Sequence, residues 1–230
     1  LEKVVPMIVA GRKFDNGIIC SGEQTAITPA AMYDDMVKTF QKNGAYYVEK
    51  PEEIDAVRNV IFPGGKMNKD AVGQSAQHIA KMAGLPADTV VLLVKVEKAG
   101  AGEPFSKEKM CPCIAAYRYN TWEEAVAIAN ANLNVEGKGH SVCIHSYNDA
   151  HIDYAAETLP VSRFLINQIC STNNGGSFFN SLSATTTLGC GSWGNNSISE
   201  NLSWRHLFNV SRVAKVRPGS TMPTDEEIWG

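Results

Sequence analysis

No apolar run in this 230-residue sequence approaches the ~18 residues that suggest a membrane-crossing helix, and its opening residues do not read as a basic-then-apolar leader. An excess of charge is also missing. With 21 basic and 24 acidic residues the formal net charge is −3, so nothing points to a polyanion such as nucleic acid. The six cysteines are scattered, and no two pairs show the spacing of a zinc site; Cys111/Cys113 and Cys143/His145 are expected to pack, not to bind metal. Reduced thiols and a cytoplasmic setting follow as expectations. Gly64-Gly65-Lys66 lacks P-loop spacing and reads as a loop. There is no internal repeat.

What is present is a globular composition, 44% apolar and 20% charged, with helix and strand signals in alternation. Pro29 is expected to open a helix whose apolar stripe is Tyr33, Met36, Val37 and Phe40, closed by Gly44. Strands are expected at 45–48, 89–96, 113–117, 141–145 and 161–167. Further helices are expected at 51–60, 70–83, 121–133 and 149–158. Thr89 to Val96 is a continuous apolar run, the mark of a strand buried on both faces. Strands separated by helical stretches imply right-handed crossovers. The expected fold is α/β, a mainly parallel sheet with flanking helices.

Residues 170–200 break that rhythm with many Gly, Ser, Thr and Asn. Phe178, Phe179, Leu182, Leu188, Trp193 and Ile198 argue against a flexible linker, so an ordered, backbone-rich binding loop is expected. Residues 207–216 mix β-branched and basic residues and read as a late strand with an unpaired edge, either covered by another element or kept soluble by Arg212 and Lys215. The division expected is 1–206 for the main α/β part and 207–230 for a late strand and tail.

The most informative residue is Cys20. Asn16-Gly17 forms a tight turn, Ile18-Ile19 follow, and the thiol is then delivered into small polar company at Ser21-Gly22. At the exit of an apolar run a substrate could reach it, and backbone N–H groups could stabilise a thiolate. On spacing alone a buried, inert cysteine is an equal reading.

The run Phe14 to Gln24 resembles the nucleophile segment of the CoA-acylating aldehyde dehydrogenases. The likeness continues through Gly73-Gln74-Ser75-Ala76, Glu108-Lys109-Met110-Cys111-Pro112, Gly137-Lys138-Gly139-His140-Ser141, Pro160-Val161-Ser162-Arg163 and Leu188 to Gly194. Within that family the wording is most similar to the succinate-semialdehyde dehydrogenases. The resemblance implies an aldehyde-dehydrogenase-like catalytic domain, with Cys20 attacking an aldehyde, NAD or NADP taking hydride, and coenzyme A collecting the acyl group. It implies that Glu108, with Pro112 four residues on, contacts the nicotinamide ribose, whose hydroxyls a carboxylate can accept. Gly73 and Ser75 would line the nucleotide or CoA path, with packing as the equal alternative.

His140 could deprotonate the enzyme thiol or the CoA thiol, or it could be a strand-edge histidine bonded to backbone. The family's cofactor-binding fold and oxyanion-hole Asn lie upstream of the nucleophile, so a longer protein is expected, assembled as a homo-oligomer built from dimers.

Overall fold

The structure is a computed structural model describing residues 1–86 and 88–230. A helix α1, Val4–Lys13, precedes the cysteine loop, a feature the sequence reading did not assign. The next element is a strand, β1, Thr25–Pro29, where a helix start was expected. Pro29 is extended (φ −52°, ψ 135°) and ends the strand, and the residue before a proline is itself pushed out of the helical region. The helix α2 therefore begins later, at Tyr33–Lys42, with the expected apolar stripe buried.

Ala45–Val48 (β2) and Pro51–Ile61 (α3) fall where the pattern placed them, Pro51 serving as the first helical residue. The third expected helix is shorter than predicted: α4 covers only Ala76–Met82. Gly73 sits at φ +70°, which breaks any helix through it, and Ser75 caps the new start by accepting the His78 N–H. Val91–Lys95 (β3), Cys113–Tyr119 (β4), Trp122–Val135 (α5), Gly139–Ile144 (β5), Asp149–Thr158 (α6) and Val161–Ile166 (β6) complete the alternation. The capping signal before α5 is half met. Thr121 accepts the Glu124 N–H, but the Glu124 carboxylate reaches back to Asn120.

The six named strands pair only in parallel, and Leu188 and Asn201 form an isolated antiparallel bridge. One sheet has order β1-β4-β3-β2 and a second pairs β5 with β6. Along β3, Leu92 and Val94 face α3 and α4, while Val91 and Leu93 face α1 and α2, so both faces of the strand are covered. That two-sided burial is why its sequence shows no alternation. A third cluster, around Val126, Ile144, Ala155 and Leu159, joins α5 and α6 to β5 and β6.

Residues 170–200 are tied by hydrogen bonds and not by their aromatics. Phe178 and Phe179 are exposed. Asparagines tie the loop instead: Asn201 Nδ2 donates to the carbonyls of Asn174 and Ser183 at 3.0 and 2.8 Å, and Asn180 Nδ2 donates to Gln168 Oε1 at 2.9 Å. Residues 208–216 form no strand within this chain; they are irregular and exposed throughout. A strand needs a neighbouring edge, and none in this chain reaches them. No helix among the described residues is long and apolar enough to cross a membrane.

Candidate active site

The chain reverses after α1 through three successive left-handed residues, Asp15, Asn16 and Gly17, with φ of 48°, 49° and 71°. Asn16 and Gly17 tolerate that region, which makes the turn a local consequence of sequence. Tertiary contacts then fix it. Asn16 Nδ2 donates to the Gly73 carbonyl at 3.0 Å, and the Gly73 N–H donates to the Met110 carbonyl at 2.8 Å. The Ile18 side chain lies against Gly73, where a Cβ would sit 2.6 Å from it. Gly73 thus acts as a close-packed brace for the cysteine loop, Ser75 as a helix cap, and Pro112 as the buried entry to β4; these three do not line the cavity described below.

Beyond the turn, Cys20 is exposed. The residues after it are anchored. Ser21 Oγ donates to the Ser171 carbonyl at 3.1 Å, the Cys170 N–H donates to Glu23 Oε1 at 2.8 Å, and the Lys109 N–H donates to Gln24 Oε1 at 3.1 Å. Beneath the loop lies the fully buried Arg12, whose guanidinium donates to the Cys111 carbonyl. Arg12 packs under the loop at Gly22 and Glu23 lines the cavity, without any periodic signal in the sequence. Their only sequence mark is that they flank the cysteine turn.

A cavity of about 550 Å³ has Cys20, Glu108 and His140 on its walls. Burial raises the Cys20 thiol pKa, the Glu108 carboxylate raises it further, and the N–H groups of Cys20 and Ser21 act in the opposite sense. The expected backbone help is therefore present, but burial and the neighbouring carboxylate outweigh it. Both effects disfavour the thiolate, and an activating base would offset them. Glu108→Gln removes the like charge and should speed alkylation of Cys20 by iodoacetamide severalfold near neutral pH; an unchanged or slower rate would contradict that coupling.

Glu108 is half-buried, and its own N–H donates to Glu136 Oε2 at 2.9 Å. Its carboxylate makes no hydrogen bond to the described residues. Burial raises its pKa, Arg12 lowers it and Glu136 raises it. An open carboxylate with free acceptors beside the thiol fits a ribose diol.

His140 follows the first residue of β5, Gly139, whose φ of +82° and near-contact with the Cys190 carbonyl admit only glycine. Burial, then the Arg163 charge, lower its pKa to about 4, so the ring is neutral at physiological pH. Its Nδ1 lies 3.0 Å from Ser141 Oγ, which also receives Arg163 Nε at 3.4 Å. The bonding is to side chains, not to the backbone that the structural alternative supposed. Ser141, Arg163 and Asn174 around this ring were not singled out as site residues from sequence, although Ser141 and Arg163 lie inside matched segments.

Lys109 is fully buried, with Nζ donating to the Lys107 carbonyl at 3.0 Å. Burial lowers its pKa to about 8, Cys113 raises it, Arg12 lowers it, and Cys111 and Glu136 raise it. Its folded pKa thus lies below the 10.5 of the free side chain. The unfolded state binds more protons between those values, and this contribution to stability rises as pH rises from about 8. Lys109→Met should abolish that slope. Urea midpoints of the two proteins should differ less at about pH 10 than at about pH 7. A difference independent of pH would refute the assignment.

No protein-family model matches the chain. The succinate-semialdehyde dehydrogenase (acetylating) of Clostridium kluyveri is 50% identical to it, over 100% of this chain and 51% of that protein. The crystal structure of an acetylating aldehyde dehydrogenase from Geobacillus thermoglucosidasius matches with a TM-score of 0.88 and 34% identity, over 97% of this chain and 49% of that one. That of a probable aldehyde dehydrogenase from Listeria monocytogenes matches with a TM-score of 0.86 and 36% identity, over 99% and 49%. The chain spans about half the length of the curated relatives it matches. In sequence along its whole length and in its parallel α/β fold, this chain belongs to the acylating aldehyde dehydrogenases.

Proposed function

We propose that the chain carries the thiol half of a reaction converting an aldehyde and coenzyme A to acyl-CoA. The observation that supports this most is the placement of an exposed thiol, Cys20, on one cavity wall with the open carboxylate of Glu108 and the neutral imidazole of His140. The Cys20 sulfur adds to the aldehyde carbon, and the N–H groups of Cys20 and Ser21 hold the thiolate before attack. Oxidation of the adduct needs a hydride acceptor, which NAD or NADP supplies when bound, with Glu108 holding its ribose. Cys20 then carries the acyl group as a thioester. The sulfur of CoA displaces it, releasing acyl-CoA and restoring the Cys20 thiolate. His140 accepts the thiol proton at Nε2, since its Nδ1 is engaged with Ser141.

Succinate semialdehyde is the first substrate to try, on the strength of the Clostridium kluyveri relative. In the intact enzyme, product formation should saturate with CoA and give a thioester. Release of free acid at the same rate without CoA would overturn the acylating reading in favour of hydrolysis.

Assembly is part of the same reading. Phe208, Val210, Val213 and Val216 are 62%, 65%, 86% and 90% exposed, an unpartnered apolar series that residues from another subunit would cover. The proposed working form is a cytoplasmic homo-oligomer built from dimers, with residues 207–230 in its contacts. Sedimentation of the intact enzyme as a monomer at micromolar concentration would refute this.

A further inference from the structure

Arg12, in the last turn of α1, is the largest fully buried side chain among the described residues, and no step of the proposed reaction uses it. Its guanidinium makes one hydrogen bond, from Nη2 to the Cys111 carbonyl, while Nε and Nη1 find no partner among the described residues. Burying a charge with donors unfilled is costly, and an apolar side chain of similar volume would fill the same space at lower cost. Packing alone is therefore a poor account of this residue.

What the guanidinium touches is more informative. The Gly22 N–H donates to the Ile19 carbonyl at 2.9 Å, closing a turn with Cys20 and Ser21 at its centre. Gly22 rests on the guanidinium, where a Cβ would sit 3.2 Å from Arg12 Nη1. The other contact, the Cys111 carbonyl, also accepts the Cys113 N–H at 2.7 Å and so belongs to the entry of β4, just after Glu108 in sequence. One planar group thus stands between the turn that presents the thiol and the segment that carries the carboxylate. Its charge reaches Glu108 as well. Burial raises the pKa of that carboxylate, Arg12 lowers it, Glu136 raises it and Lys109 lowers it.

We propose that Arg12 is a positioning residue for the reaction: its guanidinium, wedged between Gly22 and the Cys111 carbonyl, sets the separation of the Cys20 sulfur from the Glu108 carboxylate. This deepens the proposed function and rests on its assignment of Cys20 as nucleophile and Glu108 as ribose ligand. Arg12 touches neither substrate nor cofactor. Its effect falls on the one step in which the carbon bound to Cys20 gives up hydride, because there the sulfur and the ribose held by Glu108 must be in register. Acyl transfer from acyl-CoA to Cys20 has no such requirement. In that transfer the bond from the acyl carbon to the CoA sulfur breaks, the bond to the Cys20 sulfur forms, and free CoA leaves without any change of oxidation state.

The test compares two single-turnover rates in the intact enzyme. One is acylation by succinyl-CoA, read as added mass on the Cys20 peptide; the other is reduction of NAD or NADP by succinate semialdehyde. Arg12→Lys keeps a positive charge beside Glu23 and Glu108 but loses the planar fork that fills both contacts. Hydride transfer should fall at least about tenfold further than acylation, since a displacement of ~1 Å can cost ~10²-fold. Gly22→Ala lifts the turn off the guanidinium from the opposite side, at a residue whose φ is not left-handed, and should show the same split. A purely structural role lowers both rates together, in proportion to the folded fraction. Equal losses in the two rates, or no loss in either, would overturn the proposal. Should Arg12→Lys not fold, Gly22→Ala decides. An unaltered enzyme that succinyl-CoA does not acylate at Cys20 would refute the nucleophile assignment itself, before any variant is compared, and the proposal with it.

Discussion

Replacing Cys20 by Ser in the intact enzyme should reduce acyl-CoA formation by at least about 10³-fold, the scale of losing a nucleophile. An alkoxide is far harder to generate than a thiolate, and here burial and Glu108 already disfavour even the thiolate. The fold should be little changed, because Cys20 is exposed and Ser is nearly its isostere. Alkylation provides a second readout. Cys111 and Cys143 are pushed up to about 12 and Cys113 to about 11, all by burial, and Cys170 is buried with a pKa raised well above its ordinary value. Cys20 should therefore label ahead of these four thiols, and Cys20→Ser should remove that fast-labelling site. Near-normal thioester synthesis by the variant would refute its role as nucleophile.

Gly17→Ala should cost activity more than its chemistry suggests. The residue sits at φ +71°, and a Cβ there would lie 2.7 Å from both the carbonyl carbon and oxygen of Cys111. Backbone cannot yield as a side-chain tip can. The left-handed conformation alone costs ~1–2 kcal/mol for a non-glycine residue. The contact would drive the loop away from the segment carrying Glu108, and a displacement of ~1 Å at a reacting atom can cost ~10²-fold in rate. Gly64→Ala is the control, with φ +60° but open space around the added methyl. It should lower stability slightly and leave turnover unchanged. If Gly17→Ala and Gly64→Ala behave alike in turnover, the close approach to Cys111 does not position the thiol.

Much of the fold can be read directly from local pattern. β3 is a continuous apolar run because helices cover both its faces, and α3 starts at a proline whose missing N–H a helix N-terminus can spare. Where the reading failed, a nearby residue was ambiguous. Pro29 is as compatible with the end of a strand as with the start of a helix, and pairing with Ala115 to Tyr119 across β1 and β4 decided between them. Residues 207–216 have strand-like composition, but composition supplies no partner.

The same division applies to the site. The turn at Asn16-Gly17, the exposed thiol after it and the parallel α/β class are consequences of residues close together in sequence, acting through backbone preference and hydrophobic burial. The remainder depends on groups far apart along the chain. Glu108 faces Cys20 only because β1 lies beside β4, and Arg12 reaches the Cys111 carbonyl across 99 residues of sequence. His140 is neutral because burial and Arg163, 23 residues onward, suppress its charge. Desolvation and charge act through space and low dielectric, quantities that sequence separation does not encode; only the folded chain fixes them.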